Sequence, residues 1–409
     1  MRVLVLGEFR VDRLVPVLER SGADVTVLGF GDLTGFLRPE VTCAPLPPDL
    51  TEETLMFVLE RYRADTVVPN MASPGQEQML ALYARLGARL RDGDRHMPVH
   101  SKKFAALACD KVALHRYAVQ RGWPAPAAIV CDGPGQLAPA ARKVGFPLLV
   151  KKARTESFAG RHFISDPSRL AAVAAGLTYP VLVQQAVQGE EFAVELLTLP
   201  SGTVAWPVAS LGTLDSACAP GRRARVQPAA LPEDAAAALA AVIRDIATHF
   251  RPVGPWQIDF AVTREGRLNL IELNGRFGGV SNMSWTSTGT DPHHAHAQAV
   301  LHSLLPARTR AEQVALEVPV ANGTTLPPPP AGTALTAFTA NPGFPGPYTS
   351  GFHKAVLAIP PAHAAPARAW LRGLPSGTLL VPVESAVGRL DHGLDALGAN
   401  PTVAPLADT

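Results

Sequence analysis

The first hundred residues alternate between short apolar runs and segments with helical spacing. Residues 3–6 form a continuous apolar run that ends at Gly7, a pattern typical of a buried parallel strand. Residues 11–20 carry apolar side chains at helical spacing, and residues 24–28 and 64–69 again have the pattern of strands. This alternation predicts a small open α/β sheet for residues 1–100.

A further helix is predicted over residues 51–62, because Thr51 precedes Glu53 and Thr54 and is suited to the N-cap position. The glycines that follow the first strand do not match G-x-G-x-x-G. The sequence therefore gives no support to a nicotinamide site in this unit.

Residues 101–305 are predicted to form a second unit that mixes strands and helices. Helical spacing over residues 101–122 is stopped by Pro124 and Pro126, and an alanine-rich helix is predicted over residues 233–250. The predicted strands are residues 147–150, 181–185, 191–199, 257–262 and 268–273. The last two strands should pair as a hairpin across the turn at residues 264–266.

The remaining residues, 306–409, contain a run of four prolines at 327–330, which favours a stiff linker over a peptide ligand. Short strands are predicted at residues 355–359 and 378–383, with a helix near 363–374. A chain of 409 residues is too long for one compact core. We therefore expect an α/β unit (1–100), a mixed unit (101–305) and a small α+β C-terminal region (306–409).

Charge and composition exclude several classes of partner. The formal net charge is +2, so neither nucleic acid nor an anionic membrane is an expected partner. The sequence has no run of about 20 apolar residues, and the apolar run at the N-terminus is too short for a signal peptide. The four cysteines are widely spaced, without CxxC, as expected of reduced thiols in a cytoplasmic protein: Cys43, Cys109, Cys131 and Cys218.

The most informative polar residues lie on the predicted hairpin. Asp259 and Glu272 are flanked by apolar residues, where a carboxylate is costly unless its charge is compensated. Mg²⁺ prefers hard oxygen ligands of this kind, and Asn274 adds an amide oxygen two residues after Glu272. Arg276, again two residues on, can offer paired donors to a phosphate. The alternative is a hairpin whose carboxylates simply face water.

Two other segments carry weaker signals. Lys151 leaves a buried strand and is well placed to reach a phosphate, and the following loop contains small residues that end at Gly160. Residues 184–192 form a strand–turn–strand that could present backbone groups to an adenine and a carboxylate to a ribose. Taken alone, either segment is equally compatible with an ordinary polar turn.

Together and in this order, the three segments resemble the ATP-grasp superfamily over residues 101–305. The lysine-ended strand precedes a Q/E-x-x-x-x-G-x-E hinge, then D-F and E-x-N-x-R, with Asp259 and Glu272 separated by a spacing that fits the family's metal hairpin. The nearest branches are the carbamoyl-phosphate-synthase-like enzymes and the amino-acid ligases, with Gly275 in place of their usual proline. The resemblance implies a pre-ATP-grasp domain, two lobes that clamp ATP, and a C-terminal lid or dimerisation element.

The resemblance also implies a role for individual residues. Arg276 and Lys151 would be catalytic, with Lys152 as a substitute for Lys151, and Glu190 competes with Glu191 for the ribose. The implied nucleotide ligands are Lys111, Lys151, Ser157, Gly160, Gln184, Gln185, Val187 and Glu191. The implied ligands of Mg²⁺, with Mn²⁺ as an alternative ion, are Asp259, Glu272 and Asn274.

Two polar clusters invite further functions. The segment Asp291-Pro292-His293-His294, followed by His296, suggests a metal site, but we favour a capped helix with histidines on its exposed turns. The arginines of residues 222–225 could hold a substrate carboxylate or lie in a solvated loop.

The activity implied by the resemblance is the ligation of a carboxylate to an amine through an acyl phosphate, with MgATP and amino-acid-like substrates. Two alternatives stay open: the same chemistry on bicarbonate, and a nucleotide-binding regulator without turnover. Small-molecule carboxylates and amines are the expected partners, and a homodimer is compatible with the resemblance.

Overall fold

A computed structural model describes residues 1–29, 41–46, 50–71, 78–91, 95–155, 160–214, 223–307, 309–341 and 351–399. None of the helices in these ranges combines the length and the apolar character that crossing a membrane requires.

The N-terminal unit is a parallel sheet with helices packed against it. Its strands are β1 Arg2–Leu6, β2 Asp24–Gly29, β3 Thr42–Pro45 and β4 Thr66–Pro69. Its helices are α1 Val11–Arg20, α2 Glu52–Arg61 and α3 Met79–Leu90. The strand order is β3-β2-β1-β4 with every pair parallel, which confirms the predicted open α/β sheet. Thr51 caps α2 in a reciprocal capping box with Thr54, as its sequence position predicts.

The predicted single helix over residues 101–122 is wrong, since two helices occupy this stretch: α4 Lys102–Ala108 and α5 Lys111–Arg121. Asp110 separates them, and its carboxylate accepts hydrogen bonds from the backbone N–H groups of Val112 (2.9 Å) and Ala113 (3.0 Å). In a continuous helix, these N–H groups would donate to backbone carbonyls of the preceding turn. Here the carboxylate of the capping side chain takes the place of those carbonyl acceptors. The break places Lys111 at the first position of α5.

We expect Asp110→Ala to lower the free energy of unfolding by about 1 kcal/mol, because two first-turn amides lose their acceptor. Thermal denaturation of the purified chain measures this change. Asp132→Ala, at an exposed aspartate whose ion pair with Arg116 spans 3.9 Å, is the control and should have no measurable effect. Equal melting temperatures for Asp110→Ala and the wild type would contradict the capping role.

A small antiparallel sheet follows α5. Its strands are β5 Ala128–Cys131, β6 Leu148–Lys152, β7 Arg161–Ile164 and β8 Val181–Gln185, in the order β5-β8-β6-β7. The helices α6 Pro134–Val144 and α7 Ser168–Ala174 cover one face of this sheet, with Leu137, Leu170 and Val183 in the shared core. This sheet carries Lys151 at the end of β6 and Gln184 on β8, in adjacent strands.

The rest of the chain is built on one large antiparallel sheet. Its strands are β9 Gly189–Leu199, β10 Gly202–Ala205, β11 Ala209–Thr213, β12 Arg225–Gln227, β13 Gly254–Thr263, β14 Leu268–Asn274, β15 Val314–Val320, β16 Ala334–Asn341 and β17 Phe352–Ile359. The order is β14-β13-β9-β11-β12-β15-β17-β16, and β10 pairs with β9. The helices are α8 Glu233–Phe250, α9 Ser281–Thr288, α10 Pro292–His302, α11 Ala364–Arg372 and α12 Val383–Ala399.

The C-terminal strands belong to the same sheet as the predicted hairpin. β12 pairs with β15 through Val226 and Leu316, so backbone hydrogen bonds run continuously from β14 to β16. The predicted strand at residues 378–383 is wrong: Leu379 forms only an isolated bridge with Val320, and α12 begins at Val383. The division of the chain into 1–100, 101–305 and 306–409 stays a prediction.

Candidate functional site

A cleft of about 790 Å³ lies between the small sheet and the large sheet. Lys151 and Gln184 line it from the small sheet, and Glu191 and Ile271 line it from the large sheet. The turn that joins β8 to β9 closes one end. The predicted nucleotide residues that this cleft brings together are Lys151, Gln184, Gln185, Val187 and Glu191.

Lys151 is a buried lysine without a carboxylate partner at hydrogen-bond distance among the described residues. Only 4% of its surface is exposed, and its Nζ donates to Oε1 of Gln184 at 2.6 Å. Burial, and then the nearby positive charge of Arg161, lowers the pKa of Lys151 to about 7. The Gln184 side chain therefore orients this lysine without supplying the negative charge that would keep it protonated.

We expect binding of MgADP at pH 8 to take up close to one proton. Lys151 has largely lost its proton at this pH, and phosphate charge raises its pKa again. Calorimetric titrations in buffers of different ionisation enthalpy measure the uptake, which should shrink at pH 6. Lys152→Met serves as the control and should keep the uptake, whereas Lys151→Met should reduce it. A binding heat that is independent of the buffer at pH 8 would contradict this assignment.

Asp259 and Glu272 face each other on the hairpin formed by β13 and β14, as the sequence predicts. The Asp259 carboxylate accepts hydrogen bonds from Nε2 of Gln257 (2.7 Å) and from Nδ2 of Asn274 (2.9 Å). Burial, with the negative charges of Glu272 and Glu191, raises the pKa of Asp259 well above its usual value. Two amides orient this carboxyl group, but their hydrogen bonds do not outweigh the effect of burial on its pKa.

Lys111 connects this hairpin to the small sheet. Its Nζ lies 2.8 Å from Oε1 of Glu272 and donates to the carbonyl of Thr155 at 2.6 Å, while its backbone N–H donates to the carbonyl of Ala153. Desolvation alone would raise the pKa of Glu272, but the positive charges of Lys111 and Lys151 outweigh it and hold the pKa below its usual value. Of the two predicted phosphate lysines, Lys151 lines the cleft, whereas Lys111 pairs with Glu272 and is not among the described residues that line it.

A divalent cation fits the donor set at this hairpin. Asp259, Glu272 and Asn274 offer carboxylate and amide oxygens, which are the ligands that Mg²⁺ prefers. A bound cation would stabilise the charged form of Asp259, which burial and the neighbouring carboxylates disfavour. The described residues contain no group of three His, Cys, Asp or Glu side chains placed to hold a metal.

Glu191 and Glu190, the two candidates for the ribose carboxylate, have separate partners. Oε2 of Glu191 accepts from Nη1 of Arg223 at 2.9 Å, and both side chains line the cleft. Glu190 instead accepts from Ser210 and from Arg389 on α12. Glu191 is therefore oriented within the cleft, whereas Glu190 also ties the start of β9 to the C-terminal helix. Sequence reasoning missed both ion pairs, because no local pattern links these distant segments.

Arg276 lies at the turn that follows β14. Its Nη1 donates to the carbonyl of Phe277 at 2.8 Å, and burial lowers its pKa to about 10. Arg276 lines a small gap shared with His100 and His293 rather than the large cleft. Arg276 is two residues beyond Asn274. Glu272, Asn274 and Arg276 therefore lie on one short segment, where the chain passes from β14 into the turn.

A fully buried carboxylate, Glu195, lies on β9 beside this turn and was missed by sequence reasoning. Its Oε1 accepts from the N–H of Gly278 (3.1 Å) and the hydroxyl of Ser281 (2.6 Å). Its Oε2 accepts from the hydroxyl of Ser284 at 2.7 Å. Burial raises the pKa of Glu195 to about 7, against the effect of these donors. In the sequence, Glu195 is one polar residue within a predicted strand, and no nearby residue indicates its hydrogen-bond partners.

The predicted phosphate loop is described only in part. Ser157 lies outside the described residues, whereas Gly160 accepts a hydrogen bond from the backbone N–H of Lys152 at 3.0 Å. Gly160 has a φ of 63°, and a Cβ there would lie 2.7 Å from Cδ of Lys152. Glycine is therefore favoured at this position by the left-handed backbone conformation, and a larger residue would also require the Lys152 side chain to shift.

The histidine cluster is only partly as expected. Asp291 caps α10 by accepting from the N–H of His293, and Pro292 is the first helical residue, which confirms the capped helix. The expected exposure of the histidines is wrong for His293 and His296, which are 1% and 3% exposed. Phe277 contacts both rings edge-on, so these histidines pack as neutral core residues.

Of the arginine cluster at residues 222–225, Arg222 lies outside the described residues. Arg223 pairs with Glu191, as above, and Nη1 of Arg225 lies 3.4 Å from Oε1 of Glu317. Both side chains are buried, so the interpretation as a solvated loop does not hold for them.

Part of the sequence is similar to a known ligase. No family model matches the sequence. The D-alanine–D-alanine ligase of Stutzerimonas stutzeri (strain A1501) is 36% identical over 112 residues, which cover 27% of this chain and 34% of that protein. The chain thus matches about a third of the length of this curated relative.

Three solved structures share the fold along nearly the whole chain. An L-amino acid ligase from Bacillus licheniformis has a TM-score of 0.66 at 18% identity and covers 89% of this chain and 95% of its own. An N5-carboxyaminoimidazole ribonucleotide synthetase from Thermus thermophilus has a TM-score of 0.66 at 17% identity, covering 90% and 96%. A biotin carboxylase from Campylobacter jejuni, as a β,γ-ATP complex, has a TM-score of 0.69 at 14% identity, covering 99% and 98%.

Proposed function

We propose that this chain, which has the ATP-grasp fold, is an ATP-dependent ligase that joins a carboxylate to an amine through an acyl phosphate. The observation that carries the proposal is a nucleotide-sized cleft lined by Lys151, close to a cluster in which Lys111 lies 2.8 Å from Glu272 and Glu272 faces Asp259. Positive and negative side chains beside such a cleft suit the binding of a nucleotide together with a cation.

The proposal assigns each part of the nucleotide to residues of the cleft or of the hairpin beside it. The strand–turn–strand at Gln185 and Val187 would receive the adenine, and Glu191 would accept from a ribose hydroxyl. Lys111 and Lys151 would offset phosphate charge. Asp259, Glu272 and Asn274 would hold Mg²⁺, which, when bound, neutralises phosphate charge and lowers the barrier to transfer.

The chemistry follows from these positions. Attack of the substrate carboxylate on the γ-phosphorus would give an acyl phosphate and ADP, and attack of the amine on the acyl carbon would then release phosphate and leave an amide. Arg276 would stabilise the negative charge on the transferred group. No side chain has to form a covalent bond to the substrate, and exclusion of water by closure of the two lobes would protect the intermediate from hydrolysis.

Amino-acid-like substrates are the proposed class. The supporting observations are the similarities to a D-alanine–D-alanine ligase and to an L-amino acid ligase, whose names both specify amino acids. The fold is also shared with a biotin carboxylase, so bicarbonate is tested as the competing acid. A homodimer and a cytoplasmic location belong to the same proposal.

The decisive experiment measures release of ADP and phosphate from MgATP with amino acids offered singly and in pairs, and with bicarbonate. Mass spectrometry identifies the products. Release that requires two amino acids and yields their condensed product would support the proposal. Release with bicarbonate alone would replace it with carboxyphosphate chemistry, and nucleotide binding without turnover on any acid in the panel would favour a regulatory protein.

A further inference from the structure

Glu195 is a carboxyl side chain in a place where an apolar one would be expected. It is 0% exposed, and Arg13 is close enough to interact with its charge without forming an ion pair among those found in the described residues. A buried carboxylate without a paired cation is costly, and an apolar residue of similar volume would often stabilise the fold more. Burial alone therefore does not explain why a carboxyl side chain occupies this position.

The hydrogen-bond partners of Glu195 all lie on the segment that follows β14, in the turn and at the start of α9. Gly278, Ser281 and Ser284 lie between two and eight residues after Arg276, and each donates one hydrogen bond to the carboxylate. The bond from Gly278 holds the backbone of the turn, and the two serine bonds hold the first turns of α9. Glu195 thus fixes the chain directly after Arg276.

The same turn also packs against a residue that orients Asp259. Gln257 faces Glu195 across β9 and β13, and its side-chain N–H donates to Asp259. A Cβ at Gly278 would lie 2.0 Å from Oε1 of Gln257, so the turn lies directly against this amide. A chain of contacts therefore connects Arg276 to Asp259, and it runs through the turn, Glu195 and Gln257.

We infer that Glu195 is a positioning residue that holds the segment from Arg276 to Ser284 so that the guanidinium meets the phosphoryl group during transfer. The inference rests on the proposed function. Glu195 itself touches no substrate; it acts through the backbone of Gly278 and through the start of α9. The loss of one of its two acceptor oxygens should therefore weaken the interaction with the transferring phosphoryl group and leave ground-state nucleotide binding intact.

The test compares affinity for MgADP with and without aluminium fluoride, which stands in for the phosphoryl group in transfer and requires no acid substrate. In the full-length chain, Glu195→Gln should keep the dissociation constant of MgADP within twofold. The tightening caused by aluminium fluoride should fall at least fivefold. Arg276→Lys should reduce this tightening by a similar factor. In the double variant the tightening should be less than twofold smaller than in either single variant, since both changes disturb one interaction.

A buried polar residue elsewhere on β9 provides the matched control. Thr198 lies three residues after Glu195 on β9, is 6% exposed, and forms hydrogen bonds with Thr203 and Trp256, each of 2.9 Å. Thr198→Val should lower thermal stability and leave the tightening unchanged. The positioning role is overturned if the tightening in Glu195→Gln equals that of the wild type. It is also overturned if the effects of Glu195→Gln and Arg276→Lys on the tightening are fully additive.

The failure of this inference is distinguishable from the failure of the proposed function. A wild-type chain that does not bind MgADP would overturn both. A wild-type chain that binds MgADP and tightens with aluminium fluoride, beside a Glu195→Gln variant that behaves identically, would overturn the positioning role alone.

Discussion

Glu272→Gln should lower the rate of ATP-dependent product formation by at least about a thousandfold, the largest effect expected of a single change in this chain. The substitution keeps the shape of the side chain but removes a charged ligand from the proposed cation site and the partner of Lys111. Steady-state phosphate release measures the loss. The Mg²⁺ dependence of ADP binding, followed by calorimetry, should weaken in parallel and needs no acid substrate.

The same hairpin supplies the control. Glu265 lies in the turn between β13 and β14, is largely exposed, and pairs with Arg267 at 3.7 Å. Glu265→Gln should therefore change neither rate nor Mg²⁺ dependence by more than twofold. If Glu272→Gln kept a tenth of wild-type activity, Glu272 would be removed from the set of essential metal ligands.

Gly189→Ala should be the most damaging change in the nucleotide cleft that adds only one methyl group. A Cβ at this position would lie 2.0 Å from the carbonyl oxygen of Val262 and 2.9 Å from Cα of Thr263. The start of β9 must then separate from β13, at a cost of about 2 kcal/mol or more. We expect a lower unfolding temperature and at least tenfold weaker ADP binding, measured by thermal scanning and calorimetry.

Gly388→Ala is the matched comparison, since a Cβ at this site in α12 meets nothing within 4 Å. Alanine favours a helix by up to about 1 kcal/mol over glycine, so this variant should be equally or more stable and should bind ADP normally. Equal stability of Gly189→Ala and the wild type would contradict the close packing of β9 against β13.

The elements with strong local periodicity were predictable from the sequence. Residues 11–20 became α1 with Leu14 and Leu18 buried, and the hairpin of residues 257–262 and 268–273 lies within β13 and β14. Each of these patterns is complete within a short window, so distant contacts were not needed to read it. The hairpin also carried the spacing of Asp259, Glu272 and Asn274, whose roles in binding a metal stay predictions.

The features that were missed depend on contacts between distant segments. Asp110 interrupts what looks like one helix because its carboxylate caps the second, and nothing in the helical spacing reveals this. The bond from Gly278 to Glu195 joins residues 83 positions apart. The burial of His293 between Phe9 and Phe277 likewise arises only when the N-terminal unit packs against the rest.

The continuous hydrogen bonding from β14 to β16 has a consequence for how this protein can be divided. Cleavage near residue 305 would remove β15 and expose the unpaired edge of β12, together with apolar side chains such as Val226 that now lie under α12. Open strand edges of this kind recruit other chains. A fragment ending there should therefore self-associate, and transplanting the C-terminal region between relatives would require matching of strand register as well as of surface.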